Sequence, residues 1–364
     1  MDEKIYWLAW HIVLAGQARK FWAIMKYFGT PKTAWLAPDS EFDSLTGSHH
    51  NKAGKMLERR KNCDLFTVAS YLNNNKMSVL FYTDNRYPEQ LKNIYDPPPV
   101  LFVSGRADCL NDTTVALVGA RKATPYGLSV AENLARELAG AGVTVVSGMA
   151  RGIDAAAHRG ALDAGGKTIA VLGCGVDVVY PRENGRLMGN IMQNGAVISE
   201  FPPGTPPDAW HFPVRNRIIS GLSKAVVVVE AARRSGALIT AHVALDQGRD
   251  VMAVPGNITS KLSRGPNELI KQGAAPVLDA GDIIEELGLV TTMKPVMPGE
   301  SAGGLKLNDN EKLLLKLLNF EAVSLENIVQ KSGLGAGEVM SALMFLEVKG
   351  LVRQLPGRQY VLMR

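Results

Sequence analysis

Apolar residues recur every three or four positions over much of the first 78 residues of the chain. Ile5, Leu8 and Ile12 begin one such series, and this spacing is typical of helices with one buried face. Turn-forming residues interrupt the pattern at 45–54. The pattern predicts a helical domain of four or five helices at 1–78. Its glycine-bearing turn serves either as a connector or as a grip on a phosphate backbone.

From residue 79 the pattern changes to short β-branched runs separated by amphipathic segments. Continuous apolar runs such as Ala225–Glu230 are typical of strands that are covered on both faces. The alternation predicts a doubly wound, mostly parallel sheet of the Rossmann-like α/β class over residues 79–287. The predicted strands are Val79–Tyr82, Leu101–Ser104, Val115–Val118, Thr144–Ser147, Thr168–Leu172, Val197–Glu200, Ala225–Glu230, Asp250–Val254 and Pro276–Leu278, and the predicted helices include Tyr126–Ala141, Ile153–Ala164, Glu183–Gln193 and Gly236–Gln247.

Proline, glycine and serine are frequent in residues 288–304, so this stretch is predicted to be a flexible linker. The last part of the chain, 305–364, returns to helical spacing and ends in a hairpin that turns at Pro356–Gly357. Asn308 or Asp309 is placed to cap the first helix of this part. Three helices followed by a hairpin predict a winged-helix domain.

Composition sets only broad limits on function. A formal net charge of +5 permits an acidic partner such as nucleic acid. Three cysteines form no CxxC pair, the N-terminus does not resemble a signal peptide, and no apolar run is long enough to cross a membrane. We therefore expect a cytoplasmic protein without membrane contact.

Three loops that leave predicted strands carry glycines, hydroxyls and cations, which are the groups that bind phosphate. These residues are Gly119, Arg121 and Lys122 in the first loop, Ser147 and Gly148 in the second, and Ser235 and Gly236 beside Arg233 and Arg234 in the third. The carboxyl ends of parallel strands meet at one edge of a sheet, where ligands bind. We expect these three loops and a fourth site, the stretch 210–223, to form one anion-binding surface there.

The stretch Trp210–Ser223 adds an aromatic ring to this positive charge. Pro213 is predicted to begin a helix, whose first turn then carries Arg215 and Arg217. Cations at a helix N-terminus oppose the macrodipole, so their placement favours a bound anion. Phe212 supplies a ring on which a base can stack.

Several acidic residues offer a second interpretation of these positions. Glu200 or Asp208 is placed to hold the arginines in ion pairs within the protein. Glu200 and Glu230 each end a predicted strand and would also suit the acids of a nucleotide hydrolase. Asp154 and His158 lie four residues apart, but we expect the aspartate to cap or pair locally and the histidine to pack.

No cofactor or metal motif is present. Arg121 stands where the second glycine of a GxGxxG fingerprint would be needed, which disfavours dinucleotide binding. GxxxxGK[ST], HExxH, GxSxG and zinc-ligand spacings are all missing from the sequence. The sequence therefore predicts neither a cofactor nor a metal ion.

The loops also match one known family in order along the chain. The matching stretches are Tyr87–Pro88, Pro97–Phe102, Val118–Gly127, Ser147–Asp154 with His158, Gly175–Pro181 with Asn184, Ser199–Gly204, Phe212–Gly221, Ser235–Thr240, Val254–Gly256 and Gly265–Ala274. Over about 80–285 the chain thus resembles DNA-processing protein A (DprA, also called Smf). A SAM-like or helix-hairpin-helix-like domain before the sheet and a winged helix after it fit that family's three-part layout.

The resemblance implies a non-catalytic, single-stranded-DNA-binding protein that helps to load RecA recombinase during natural transformation and recombination. It implies a homodimer built through the Rossmann-like domain, with single-strand-binding protein as a further partner. By the same resemblance Arg121 is expected to contact phosphate and Phe212 to stack on a base. The remaining expected DNA contacts are Arg215, Asn216 and Arg217 in the same pocket, and Lys271.

Two alternative functions remain open. The same fold hosts nucleoside-monophosphate phosphoribohydrolases, although Glu230–Thr240 lacks their Pro-Gly-Gly-x-Gly-Thr-x-x-Glu motif. A nucleotide-sensing transcription regulator would also use a winged helix. The third helix of that domain carries Glu338 and Glu347 against one lysine, so we expect it to contact protein, or DNA only through Arg353 and Arg358.

Overall fold

A computed structural model describes residues 2–42, 50–72, 77–289, 307–318, 322–349, 351–355 and 357–362. Most of the predicted linker 288–304 lies outside these ranges, as do residues 45–49 of the predicted turn and Pro356 of the predicted hairpin turn. The domain boundaries drawn from the sequence therefore stay predictions.

The N-terminal part is helical, as its spacing predicts. The helices are α1 (Glu3–Val13), α2 (Ala18–Phe28), α3 (Pro31–Leu36), α4 (His50–Lys61) and α5 (Leu65–Leu72), with a 3₁₀ turn at Asp39–Phe42. The predicted interruption at 45–54 is too long, because residues 50–54 already belong to α4. Trp10, Phe21 and Phe42 fill the core of this helical part without any exposure to solvent.

A nine-stranded sheet forms the centre of the described chain, in the order β1-β2-β6-β5-β4-β3-β7-β8-β9. Its strands are β1 (Ser78–Phe81), β2 (Val100–Gly105), β3 (Thr114–Val118), β4 (Thr144–Ser147), β5 (Thr168–Val171), β6 (Ala196–Ser199), β7 (Ala225–Val228), β8 (Asp250–Ala253) and β9 (Ala275–Pro276). Strands β3 to β9 are parallel, whereas β2 pairs antiparallel with β6 and with β1. The predicted Rossmann-like, mostly parallel fold is confirmed.

Helices cover both faces of this sheet. They are α6 (Glu89–Lys92), α7 (Pro125–Gly140), α8 (Ile153–Asp163), α9 (Gly185–Asn194), α10 (His211–Leu222), α11 (Gly236–Asp246), α12 (Arg264–Lys271) and α13 (Ala280–Glu286). Thr124 caps α7 through the Gly127 amide at 3.1 Å, with Pro125 in the first turn, as the sequence predicts. The strand order reverses between β3 and β7, so the crevice where ligands bind in such sheets lies at their carboxyl ends.

The N-terminal helices dock on the antiparallel edge of the sheet through a proline-rich segment. The indole nitrogens of Trp7 and Trp22 donate hydrogen bonds to the carbonyl oxygens of Pro99 and Pro97, at 2.9 and 2.8 Å. Leu8 packs in one apolar cluster with Phe81, Val100 and Phe102 of the sheet. Hydrogen bonds and apolar contacts therefore join the helical part to the sheet.

The described C-terminal residues form the predicted winged helix. Its elements are α14 (Asp309–Leu317), β10 (Val323–Ser324), α15 (Leu325–Ser332), α16 (Ala336–Val348), β11 (Val352–Leu355) and β12 (Gln359–Leu362). Asn308, one of the two predicted caps, accepts from the Glu311 amide at 2.8 Å and completes a capping box. No helix in the described part of the chain is both long and apolar enough to span a membrane.

Candidate nucleic-acid interface

An exposed arginine and a half-buried phenylalanine meet at the carboxyl edge of the sheet. Arg121 follows β3, and its guanidinium lies 5.1 Å from the centre of the Phe212 ring, at the start of α10. The Tyr180 ring, in the loop after β5, lies 5.6 Å from the same ring at an interplanar angle of 34°. A cation beside two partly exposed rings is suited to a phosphate and a stacked base.

These side chains line a small cavity of about 40 Å³. Gly173 forms part of its wall, where a Cβ atom would come within 3.0 Å of Phe212. Arg151 also lines the cavity and forms an ion pair with Glu183. Arg151 and Tyr180 were not predicted as site residues, although both fall within matched family stretches.

Arg215 is buried behind the Phe212 ring and supports the cavity from the interior of the protein. Its guanidinium is buried, donates to the carbonyl oxygens of Gly148 (2.7 Å) and Val171, and lies 5.8 Å from the Phe212 ring centre. Burial lowers the pKa of Arg215 to about 10, against the opposing effect of Asp154. The arginine remains charged at neutral pH and fixes the loops after β4 and β5 beneath the ring.

The predicted helix start at Pro213 is wrong, because α10 begins two residues earlier, at His211. Arg215 and Arg217 therefore lie in the second turn of the helix, where the macrodipole argument no longer applies. The physical cause of their placement is a set of buried acceptors within the protein.

Arg217 is buried and its guanidinium forms an ion pair with the carboxylate of Glu200. It also donates to the backbone oxygen of Asp96 at 2.7 Å. Burial raises the pKa of Glu200 to about 7, and the charge of Arg217 opposes that rise. The alternative interpretation, in which Glu200 holds an arginine, is the arrangement in the structure. Asp208 instead accepts from the amide of Trp210 at 3.3 Å.

Ser147 and Gly148 have different places at the site. The Ser147 hydroxyl is fully buried and donates to the Leu117 carbonyl oxygen at 2.7 Å, so it is not free to bind a phosphate. Gly148 forms part of the cavity wall. A side chain at Gly148 would collide with Arg215 and would lie 2.7 Å from Asp154, so its lack of a side chain leaves room for both.

The loops that follow β3 and β7 contact each other at the point where the strand order reverses. Glu230 accepts from the Thr124 amide at 2.8 Å and from its hydroxyl at 2.6 Å. A side chain at Gly119 would lie 2.5 Å from Ile153, and one at Gly127 would collide with the Glu230 carboxylate. Glu230 thus fills the crevice that a nucleotide occupies in related sheets, and Gly119 serves close packing.

The remaining predicted contacts are divided between surface and interior. Lys122 is exposed beside Arg121, whereas Asn216 is buried and donates to the Gly236 carbonyl oxygen at 3.4 Å. Ser235 precedes α11 as its N-cap, and its hydroxyl oxygen is buried without a hydrogen-bond partner. Gly236, Arg233 and Arg234 are exposed at the same end of that helix.

Lys271 is exposed and is the last residue of α12, which begins beside Ala231 and leads through a short turn into β9. Its role as a DNA contact stays a prediction.

Asp154 and His158 do not form a catalytic pair. Asp154 accepts from the Ala150 amide at 3.3 Å, and burial raises its pKa. The Thr168 hydroxyl donates to the Val145 carbonyl oxygen, so it accepts from Nδ1 of His158, both at 2.7 Å. His158 packs in the interior, as the sequence predicts. No cluster of three potential metal ligands occurs in the parts of the chain that the structure describes.

Protonation of His158 is expected to weaken folding in acid. Burial, aided by the charges of Arg215 and Arg159, lowers its pKa from 6.5 to about 3. Between pH 6.5 and pH 3 the imidazole of His158 binds a proton in the unfolded chain but not in the folded chain. The free energy of unfolding therefore falls as the pH drops below 6.5. This group alone accounts for about 2 kcal/mol between pH 7 and pH 5.

Urea unfolding at these two pH values, on the intact chain and on a His158→Asn variant, measures this contribution. Asparagine keeps a donor for Thr168 but does not titrate. We expect the intact chain to lose more stability on acidification than the variant does. Equal losses would contradict the assignment, since the other titrating groups are shared by both proteins.

A Rossmann-like sheet with a basic, aromatic carboxyl edge and a winged helix defines a class of nucleic-acid-associated proteins. Two family models match the chain: DNA recombination-mediator protein A over residues 78–288, and the DprA winged helix domain over residues 300–358. The chain belongs to the family of DNA recombination-mediator protein A.

Individual relatives agree with this assignment. Protein Smf of Escherichia coli is 39% identical over 332 residues, which cover 89% of this chain and 88% of that protein. The structure of DNA processing protein A from Streptococcus pneumoniae is 36% identical, with a TM-score of 0.69 over 79% of this chain and 98% of that chain. A structure from Helicobacter pylori, described for its single-stranded DNA binding mode, is 32% identical, with a TM-score of 0.53 over 58% of this chain and 95% of that chain.

Proposed function

We propose that this protein binds single-stranded DNA at the carboxyl edge of its sheet, without changing the DNA covalently, and helps to load RecA recombinase onto it. The observation that carries the proposal is the exposed guanidinium of Arg121, 5.1 Å from the Phe212 ring and beside Tyr180. Family membership and the described DNA-binding mode of the Helicobacter pylori relative support it.

The chemistry of the site suits an unpaired strand. An exposed ring face stacks on any base, and an exposed guanidinium binds a phosphate without reading sequence. Arg233 and Arg234, exposed beside the end of β7, extend the positive charge along the same edge. We assign Arg215, Asn216, Arg217, Ser147 and Gly148 the role of holding the loops in place.

A nucleotide hydrolase is the competing function. Its acids would have to be Glu200 and Glu230, but both carboxylates are buried and engaged, with Arg217 and Thr124 respectively. Incubation of the full chain with AMP or GMP and assay for free base tests this alternative. We expect no turnover, and steady release of base would favour the enzyme.

The assembly of the protein is also part of the proposal. The family resemblance supports a homodimer through the Rossmann-like domain, with RecA and single-strand-binding protein as partners. Sedimentation of the full chain tests the dimer. Formation of RecA filaments on DNA already covered by single-strand-binding protein, with and without this chain, tests the loading role; an unchanged filament rate would contradict it.

Binding of oligo-dT and of duplex DNA of equal length, compared by fluorescence anisotropy across a salt series, tests the proposed function. We expect clear preference for oligo-dT. The logarithm of the affinity should fall with the logarithm of salt concentration, with a slope of about −0.7 per phosphate neutralised. Equal affinity for both DNA forms would contradict single-strand binding.

Phe212→Ala is expected to weaken oligo-dT binding by about 1–3 kcal/mol, the usual effect of removing one stacked aromatic ring. The salt slope should stay unchanged, because no charge is lost. Phe212→Tyr is the matched control, since it keeps the ring and should bind like the intact chain. A Phe212→Ala variant with unchanged affinity would remove the stacking role.

A further inference from the structure

A second group of exposed aromatic rings lies where the N-terminal helices meet the sheet. Trp210 is 49% exposed and Tyr95 is 85% exposed. The guanidinium of Arg19, on α2, lies 5.0 Å from the centre of the Tyr95 ring, and its side chain is 73% exposed. Arg19 also forms an ion pair with the Asp96 carboxylate at 3.4 Å. The pairing of cation and ring otherwise resembles that of Arg121 and Phe212.

Trp210 and Tyr95 are each connected to the dipeptide Glu200–Phe201, which follows β6 at the carboxyl edge. The Trp210 ring lies edge-on to Phe201, with 6.2 Å between ring centres. Tyr95 is connected less directly: it precedes Asp96, whose backbone oxygen accepts from Arg217, the ion-pair partner of Glu200. Both rings therefore belong to the part of the molecule around this dipeptide.

The N-terminal helices complete this surface. Gly16, in the turn before α2, sits against Phe201, where an added Cβ would be 3.6 Å from the ring. His11 shares a 2.5 Å hydrogen bond with the Glu200 carbonyl oxygen. Because Arg19 follows three residues after Gly16, its position over Tyr95 is fixed by this docking.

The second group of rings lies close to the candidate interface along the chain. Trp210 precedes Phe212 by two residues, so their backbones are at most about 7 Å apart. Side chains two apart at a helix start point to different sides, and accordingly Phe212 contacts Tyr180 whereas Trp210 contacts Phe201. An unpaired strand bound at the Phe212 ring therefore has to pass around the start of α10 to reach the Trp210 ring.

We propose that Trp210, Tyr95 and Arg19 form a second base-stacking site for the same DNA strand, assembled only when the N-terminal helices dock on the sheet. This inference rests on the proposed function at Arg121 and Phe212. It gives the N-terminal helical part a direct role in DNA binding, through Arg19 and the surface that it completes.

Affinities of the full chain for two dT oligomers test the second site. One oligomer of about 6 nucleotides fills the Phe212 pocket, and one of about 20 nucleotides also reaches Tyr95, in line with site sizes of single-strand-binding folds. Trp210→Ala and Tyr95→Ala should each weaken binding of the long oligomer about fivefold or more and leave the short one unchanged. Trp210→Phe and Tyr95→Phe should bind the long oligomer normally.

Two controls separate the possible failures. Phe66→Ala removes a ring of the N-terminal part that is 78% exposed, and should bind both oligomers normally. Arg121→Ala should weaken binding of both oligomers.

The outcomes distinguish the two proposals. If Arg121→Ala binds DNA weakly while the Trp210 and Tyr95 variants bind the long oligomer normally, the second site is wrong and the proposed function stands. Equal loss on both oligomers in the Trp210 variant would also overturn the second site, since Trp210 would then act through the Phe212 pocket. If Arg121→Ala binds both normally, the proposed function itself fails.

Discussion

Arg121→Ala should weaken oligo-dT binding by about 10- to 150-fold. A hydrogen bond from a charged group contributes about 1.5–3 kcal/mol, and each 1.4 kcal/mol is a factor of about ten in affinity. The substitution removes the exposed cation over Phe212 and leaves the ring without its orienting partner. Fluorescence anisotropy with labelled oligo-dT measures the change, and the salt slope should become shallower by about 0.7.

Arg106→Ala is the charge-matched control for this experiment. Arg106 is exposed, forms an ion pair with Asp108 at 2.9 Å, and follows β2 at the amino edge of the parallel strands. Its loss changes the net charge equally but should leave oligo-dT binding nearly unchanged. Equal effects of the two substitutions would show that only the overall charge matters.

Arg217→Ala should lower the free energy of unfolding by about 3–5 kcal/mol, the usual cost of removing one partner of a buried ion pair. Glu200, which is fully buried, would be left with an uncompensated charge. The same change frees the Asp96 carbonyl oxygen at the junction with the N-terminal helices. Urea unfolding, followed by tryptophan fluorescence, measures the loss.

The pH dependence gives this prediction a specific signature. Folding raises the pKa of the Glu200 carboxyl from 4.5 to about 7, so the folded chain binds a proton there more tightly than the unfolded chain does. The free energy of unfolding therefore falls as the pH rises from 4.5 to 7. Without Arg217 the pKa rises further. The loss of unfolding free energy caused by Arg217→Ala should therefore be smaller at pH 5 than at pH 7.5. An Arg217→Leu, Glu200→Leu double variant should lose less than Arg217→Ala at pH 7.5. A deficit independent of pH would contradict the ion-pair account.

Local sequence patterns predict the architecture well because they act over short distances. The β-branched run at Ala225–Glu230 forms β7 at Ala225–Val228, and Thr124 with Pro125 begins α7. Asn308 caps the first helix of the winged helix. Each signal depends on the residue itself and a few neighbours, so the local structure that it predicts does not depend on how the rest of the chain folds.

The roles of the site residues depend on partners that are far away in the sequence. Arg217 looks like a surface cation until Asp96, more than a hundred residues earlier, supplies its buried acceptor. Gly119 looks like a phosphate-binding glycine, but it makes room for Ile153. The closeness of Arg121 and Phe212 is predictable because one follows a strand and the other begins a helix at the same edge of the sheet. Their contact with DNA stays a prediction.

A crystal structure of the full chain with bound oligo-dT tests the central claim directly. We predict a base against the Phe212 ring, a phosphate at the Arg121 guanidinium, and the strand running along the carboxyl edge of the sheet. A strand held by the winged helix or at the amino edge, with the space between Arg121 and Phe212 empty, would contradict it.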